Sequence, residues 1–231
     1  MRFSRILRVL GTIAVVISGI YAQVEPMRTG KIAFATSGQT VQDAIVSFGA
    51  TKGIPIGVVS EGSALCKAEP AGNYEADDPR EALSNVLAVS AYTSNWVGTV
   101  LEVRPIQGVS PAAKRILTAG VARFGNQMDT TIHGLGIVLA GYIRGILHPD
   151  QGYAGEIISS TVDEKAPQFD LTETTTQGGA DYLVSLGSKG VWFAFEDSAS
   201  GGDFTIRAYS YKNDTAALAH LPCPMGHAIE K

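Results

Sequence analysis

The chain is short of the groups that carry chemistry. Its 231 residues include only two cysteines, four histidines and two tryptophans. It contains no G-x-S-x-G, S-x-x-K or H-E-x-x-H, so the common hydrolase signatures are missing. A P-loop and a G-x-G-x-x-G are missing too, which removes the usual phosphate cradles. Charged residues make up 17% of the chain, with acids outnumbering bases by 22 to 18. Without a basic stripe to offset phosphate, nucleic acid is not an expected partner. Aromatics at 8% against 26 glycines suggest short strands and many turns rather than long helices. Outside the first 22 residues no run is long and apolar enough to span a membrane.

Those first residues have a pattern of their own. Arg2, Arg5 and Arg8 form a basic stretch, Val9 to Ile20 is apolar or small, and Ala22 supplies a small residue for cleavage. Residues 1–22 therefore read as a secretory signal peptide, with the mature chain starting at Gln23. Export to the periplasm or beyond is the expectation. Loss of three arginines would move the formal net charge from −4 to −7.

The clearest folded stretch is Asp77 to Pro105. Asp78 suits an N-cap, Pro79 the first helical position, and Glu81 lies three residues on, which predicts a capping box. Leu83, Val86 and Leu87 follow as one apolar stripe. Trp96-Val97 and Val100 to Val103, split by Gly98-Thr99, read as a hairpin that Pro105 ends. Upstream, Lys31 to Phe34 reads as a strand. Val41, Ala44, Ile45 and Phe48 mark a helix closed by Gly49 and Gly53, and Ile54 to Val59 a second strand. Residues 60–76 read as a loop with a strand near Asn73 to Ala76. The predicted order is β-α-β followed by β-α-β-β.

This order, carried on Ala44-Ile45, Gly53 before Ile54 to Val59, Ala82-Leu83 and Trp96 to Val103, resembles the short N-terminal domain of secretins and TonB-dependent outer-membrane receptors. The resemblance covers residues 31–105. It implies two helices packed between small sheets, a periplasmic location in a bacterium, and function by contact with an envelope or outer-membrane protein. The receptor barrel and the secretin pore have no counterpart here, so the resemblance implies no channel.

The second half reads as a diverged copy. Ile132, Leu135, Leu139 and Tyr142 share a helical face that echoes Val41, Ala44 and Phe48. Leu87 and Trp96 recur as Leu183 and Trp192, each 96 residues later. Phe169 to Leu171 reads as a strand, Ala180 to Leu186 as a helix, and Val191 to Glu196 with Phe204 to Tyr211 as a hairpin. The expected fold class is α+β, two tandem βαβ-containing units. The divisions are a leader at 1–22, a first domain at 23–106, a second at 107–211 and a tail at 212–231. Residues 107–115 read as the connection. Leu83, Leu87, Trp96, Leu183 and Trp192 are expected in the core.

Three constellations bear on chemistry. Cys66 and Cys223, both in loop-like segments, are expected to pair in an oxidising compartment, an entropic gain of about 4–5 kcal/mol at most. His220, Cys223 and His227 have metal-like spacing, but the set lacks a fourth ligand and competes with the disulfide, so no metal is expected. His148, Asp150 and Glu156 fall in a Pro- and Gly-containing loop, which reads as a solvated surface rather than a catalytic site. The expected function is thus an exported interaction module without cofactor or catalytic residues. The alternatives are a hydrolase acting on envelope material and a periplasmic binder of small ligands.

Overall fold

The structure is a computed structural model that describes residues 31–126, 132–150, 168–186, 189–197, 203–212, 214–219 and 221. The expected signal peptide lies outside them. The chain is α+β. Strand β1 (Ile32–Thr36) leads to helix α1 (Val41–Lys52), strand β2 (Ile56–Ser60), a 3-10 turn at Ala64–Cys66 and strand β3 (Gly72–Ala76). Helix α2 (Pro79–Leu87) and the hairpin β4 (Tyr92–Val97) and β5 (Val100–Pro105) follow. Next come α3 (Pro111–Leu117), β6 (Gly120–Asn126), α4 (Ile132–Leu147), β7 (Phe169–Thr175), α5 (Thr176–Ser185), β8 (Gly190–Asp197), β9 (Asp203–Ser210) and α6 (Thr215–Ala219).

Five strands form one sheet in the order β4-β5-β2-β8-β9, with β2 parallel to both β5 and β8 and each outer pair antiparallel. Two further pairs, β1-β3 and β6-β7, are antiparallel two-stranded sheets. Side chains alternate across the large sheet as the pleat requires. Ile56, Val58, Leu101, Val103, Val191 and Phe193 face α1 and α2 in one core. Val59, Val100, Trp192, Ala194 and Ile206 face α3, α4 and α5 in the other. Helix α2 also contacts β1 and β3, and α4 and α5 contact β6. The helices therefore lie between sheets on both sides of the central one.

Helix starts follow their caps. Thr40 and Asp43 form a reciprocal capping box on α1, with Asp43 N–H donating to Thr40 Oγ1 at 3.1 Å. Gly53 closes α1 in the left-handed region at φ 64°. Asp78 caps α2 through Arg80 N–H at 2.6 Å. Glu81 makes no return bond to the Asp78 N–H among the described residues, so the capping box expected there is only half formed. The Asp78 carboxylate takes the N–H of the second helical residue instead.

Apart from β2, which has no counterpart among the described residues, elements recur in order: β1, α1, β3, α2, β4, β5 against β6, α4, β7, α5, β8, β9. The N-caps Asp78 and Thr175 are 97 residues apart, and the left-handed residues that open the hairpins, Ala91 (φ 58°) and Lys189 (φ 65°), are 98 apart. By that register Leu183 corresponds to Val86 and Trp192 to Ser94, not to Leu87 and Trp96; a spacing of 96 slips the pairing by one or two positions. The stretch read as a connection carries α3, and β6 after it was not anticipated from the sequence. The segment read as a tail holds α6, where Leu218 is buried in the first core and Leu221 packs against it.

Candidate functional site

Polar groups converge where β5, β2, β8 and α5 meet, at the seam between the first and second halves. Glu102 on β5 lies on the α5 side of the sheet and is only 2% exposed. A carboxylate in that position must be paired and hydrogen-bonded to be tolerated. Its Oε2 accepts from Arg104 Nε at 2.7 Å and from Nη2 at 2.5 Å. Its Oε1 accepts from Gln177 Nε2. Arg104 Nη2 donates in turn to Gln177 Oε1 at 2.9 Å. Three side chains, two from β5 and one from α5, thus close a ring in which every charged group has a partner.

One turn further along α5, Asp181 accepts from the Trp192 indole Nε1 at 2.7 Å. Trp192 is fully buried, and its ring lies across Gly57 on β2, where an added Cβ would fall 2.3 Å from the ring. Glycine is required there because the indole takes the space. Burial is the main force on the Asp181 carboxyl and pushes its pKa up to about 6. The Trp192 N–H pulls it down and the nearby Glu102 charge pushes it up. Burial also raises Glu102, against the Arg104 charge and hydrogen bond. Chemically this cluster can hold two halves in register and take up a proton in mildly acidic conditions. With Glu102 so enclosed, it does not present its carboxylate to a substrate.

Other contacts tie the same seam. Thr99 Oγ1 at the hairpin tip lies 3.3 Å from Ser185 Oγ on α5. Tyr211 reaches over from the second half and donates to Ile54 O at 3.0 Å, and its ring fills the space beside Gly49. Elsewhere, Tyr74 donates to Glu69 Oε1, while Glu69 Oε2 and Ser60 Oγ are buried without a hydrogen-bond partner among the described residues.

The residues singled out from the sequence are dispersed. Leu83, Leu87, Leu183 and Trp192 are fully buried, and Trp96 on β4 is partly buried against the first core. Cys66 ends the 3-10 turn and is disulfide-bonded. Its expected partner Cys223 lies outside the described residues, as do His220, His227 and Glu156. His148 follows the end of α4, its N–H donating to Arg144 O at 2.8 Å, and Asp150 is exposed. Among the described residues no group of three or more His, Cys, Asp or Glu could hold a metal ion. Likewise, no helix is long and apolar enough to cross a membrane.

Sequence reasoning missed Glu102, Arg104, Gln177 and Asp181. One signal was present: Glu102 interrupts the run Val100-Leu101-Glu102-Val103, at a strand position whose neighbours in the alternation point inward. No family model, curated protein or solved structure matches the chain.

Proposed function

We propose that the protein is an exported interaction module of the bacterial envelope, similar to the short N-terminal domain of secretins and TonB-dependent receptors, acting by surface contact with an envelope or outer-membrane protein. The observation that carries this reading is the layering of residues 32–105. Helices α1 and α2 lie between the two-stranded sheet β1-β3 and the strands β4-β5-β2, the arrangement the resemblance implies. The same layering repeats around α4 and α5, which doubles the surface on offer. The polar residues that are brought together serve the seam, and this favours a role for shape over one for turnover.

The test is crosslinking of the exported chain in intact cells, followed by identification of what is joined to it. A single envelope protein should be recovered, equally from the parent and from the variant combining His148→Ala, Asp150→Ala and Glu156→Ala. Hydrolysis of envelope polymer by the folded protein, lost in that variant, would overturn the reading in favour of the enzyme.

A further inference from the structure

Two carboxylates are enclosed among the described residues, Glu102 at 2% exposed and Glu69 at 1%. Glu102 has the Arg104 guanidinium against it. Glu69 has no cation, since none of the ion pairs among the described residues includes it. Lys67, the nearest basic residue in sequence, is exposed. A buried carboxylate is tolerated when it is paired with a cation or bound to a metal. Glu69 therefore lacks a charge partner that the seam cluster possesses.

The backbone fixes where Glu69 lies. Thr40 and Ala68 form an isolated antiparallel bridge, and the Glu69 N–H donates to Gln39 O at 2.7 Å. The loop that follows the 3-10 turn is thereby stitched to the turn that leads into α1. Glu69 Oε1 accepts from the Tyr74 hydroxyl on β3, and Glu69 Oε2 has no partner among the described residues. The hydrogen bond to Glu69 is the main cause that raises the Tyr74 pKa, with burial and the Glu69 charge adding to it. The phenol therefore keeps its proton and remains a donor. Tyr74 also meets the Thr36 hydroxyl, which donates to Pro70 O at 2.7 Å and accepts from Gly72 N–H at 3.1 Å. The groups linked to the carboxylate are thus the oxygens of Tyr74, Thr36 and Pro70.

We propose that Glu69 anchors a binding site for a hard divalent cation of the calcium type, held by Glu69 Oε2 and by neutral oxygens of the two chain segments that meet there, residues 36–40 and 68–70. This goes beyond the proposed function and does not depend on it. A proton on Oε2 would need an acceptor, and among the described residues it finds none. A water would satisfy the oxygen but leave the charge uncompensated. A cation answers both needs at once. Oxygen donors without imidazole or thiolate select a hard ion, and Cys66 is excluded as a ligand by its disulfide. Calcium fits a site of one carboxylate with carbonyls and hydroxyls, because it accepts six to eight oxygens in flexible geometry, whereas magnesium demands a near-ideal octahedron and keeps its waters. A single carboxylate makes the site weak, with a Kd of about 0.1–1 mM, the range of extracellular modules. It is not a cluster of acids, and its charge comes from one residue. Bound there, the ion would tie the turn before α1 to the loop before β3, beside the Thr36↔Gly72 end of the β1-β3 pair.

Terbium(III), a calcium surrogate whose emission is sensitised by an adjacent tyrosine, reads the site directly, because Tyr74 touches Glu69. Added to the purified, folded protein, terbium chloride should give sensitised emission that calcium displaces with a midpoint of about 0.1–1 mM. Glu69→Gln keeps an oxygen for Tyr74 and should lose the emission. Tyr74→Phe should lose it too, while keeping its response to calcium. Calcium chloride at about 10 mM should raise the thermal midpoint of the parent and of Tyr74→Phe by about 3–10 °C over sodium chloride of equal ionic strength. Glu69→Gln should not respond, and in EDTA it should melt no lower than the parent. Emission that persists in Glu69→Gln would mean an adventitious ion only, on exposed acids, and would overturn the proposal. So would an equal calcium shift in parent and Glu69→Gln, or a parent that shows neither emission nor shift. Should Glu69→Gln fail to fold, Tyr74→Phe decides the matter, since undiminished emission in that variant would place the ion elsewhere.

Discussion

Replacing Asp181 with Asn should make the protein more stable at neutral pH and remove part of its pH dependence. Asp181 is partly buried on α5, beneath Trp192 and near Glu102, and its pKa is raised from 3.8 to about 6. A carboxyl raised in the folded state holds its proton there more tightly than in the unfolded chain. Its contribution is therefore fully present below about pH 4 and is lost as pH rises through about 6. At about 1.4 kcal/mol per pH unit, a rise of roughly two units is worth about 3 kcal/mol. Partial solvent access reduces this to about 1–2 kcal/mol. Asparagine keeps an oxygen to accept the Trp192 N–H but carries no charge to bury. Urea unfolding followed by tryptophan fluorescence at pH 4, 5, 6, 7 and 8 should show parent and variant close together at pH 4. The variant should then pull ahead by about 1–2 kcal/mol at pH 8. Glu102, also raised, contributes a slope of the same sign to both proteins and cancels in the difference. A difference that stays flat from pH 4 to 8 would refute the reasoning, whatever its size.

Gly57→Ala should destabilise by about 1–3 kcal/mol through overpacking against the Trp192 ring, read as a lower urea midpoint with unchanged slope; an effect below about 0.5 kcal/mol would mean that the indole moves aside freely. Arg104→Met should cost about 3 kcal/mol at pH 7 by leaving the buried Glu102 without its cation. The cost should shrink as pH falls and Glu102, its pKa raised by burial, takes up a proton, and the double variant with Glu102→Leu should recover most of it; equal cost in single and double variants would show that the ring is not coupled. Non-reducing peptide mapping should place Cys66 and Cys223 in one linked fragment, and two titratable thiols per denatured chain would contradict the pairing.

Much of the fold was legible because local signals agreed with one another. The stripes Val41-Ala44-Ile45-Phe48 and Leu83-Val86-Leu87 are amphipathic at helical spacing, and both face a core. Gly98-Thr99 between β-rich runs turned as its chemistry dictates. Gly178 and Gly179, poor helix formers, sit inside α5 all the same. At Gly179 an added Cβ would lie only 3.2 Å from Leu139 and 3.3 Å from Phe124, so close packing between helices overrides propensity there. What stayed illegible was non-local. Nothing in the order of elements says that β2 pairs with β8, because that contact joins residues 135 positions apart. The polar cluster was hidden for the same reason: Glu102 and Gln177 are 75 residues apart, and the place of Glu102 in an apolar run does not name its partner. Strand β6 escaped notice because Gly120 and Gly125 dilute its alternation.

The shared strand decides how the two halves behave on unfolding. Every residue of β2, Ile56 to Ser60, is buried, and the strand is hydrogen-bonded on both sides, to β5 and to β8. Removing the second half would expose one edge of β2 together with the Trp192-covered backbone at Gly57. Removing the first would leave Gln177 without Glu102, the indole without its support at Gly57 and the Tyr211 hydroxyl without its acceptor Ile54 O. Neither half can then open without breaking contacts that stabilise the other, which is the physical condition for a single cooperative transition. The two tryptophans report on the two halves separately. In a Trp192→Phe variant only Trp96 on β4 emits, and in Trp96→Phe only Trp192 on β8. Within each variant the fluorescence midpoint should coincide with the midpoint from far-ultraviolet circular dichroism. A fluorescence transition from Trp192 that precedes loss of secondary structure would show the second half releasing first. The seam of Glu102, Arg104 and Gln177 would then be a contact between separately stable parts.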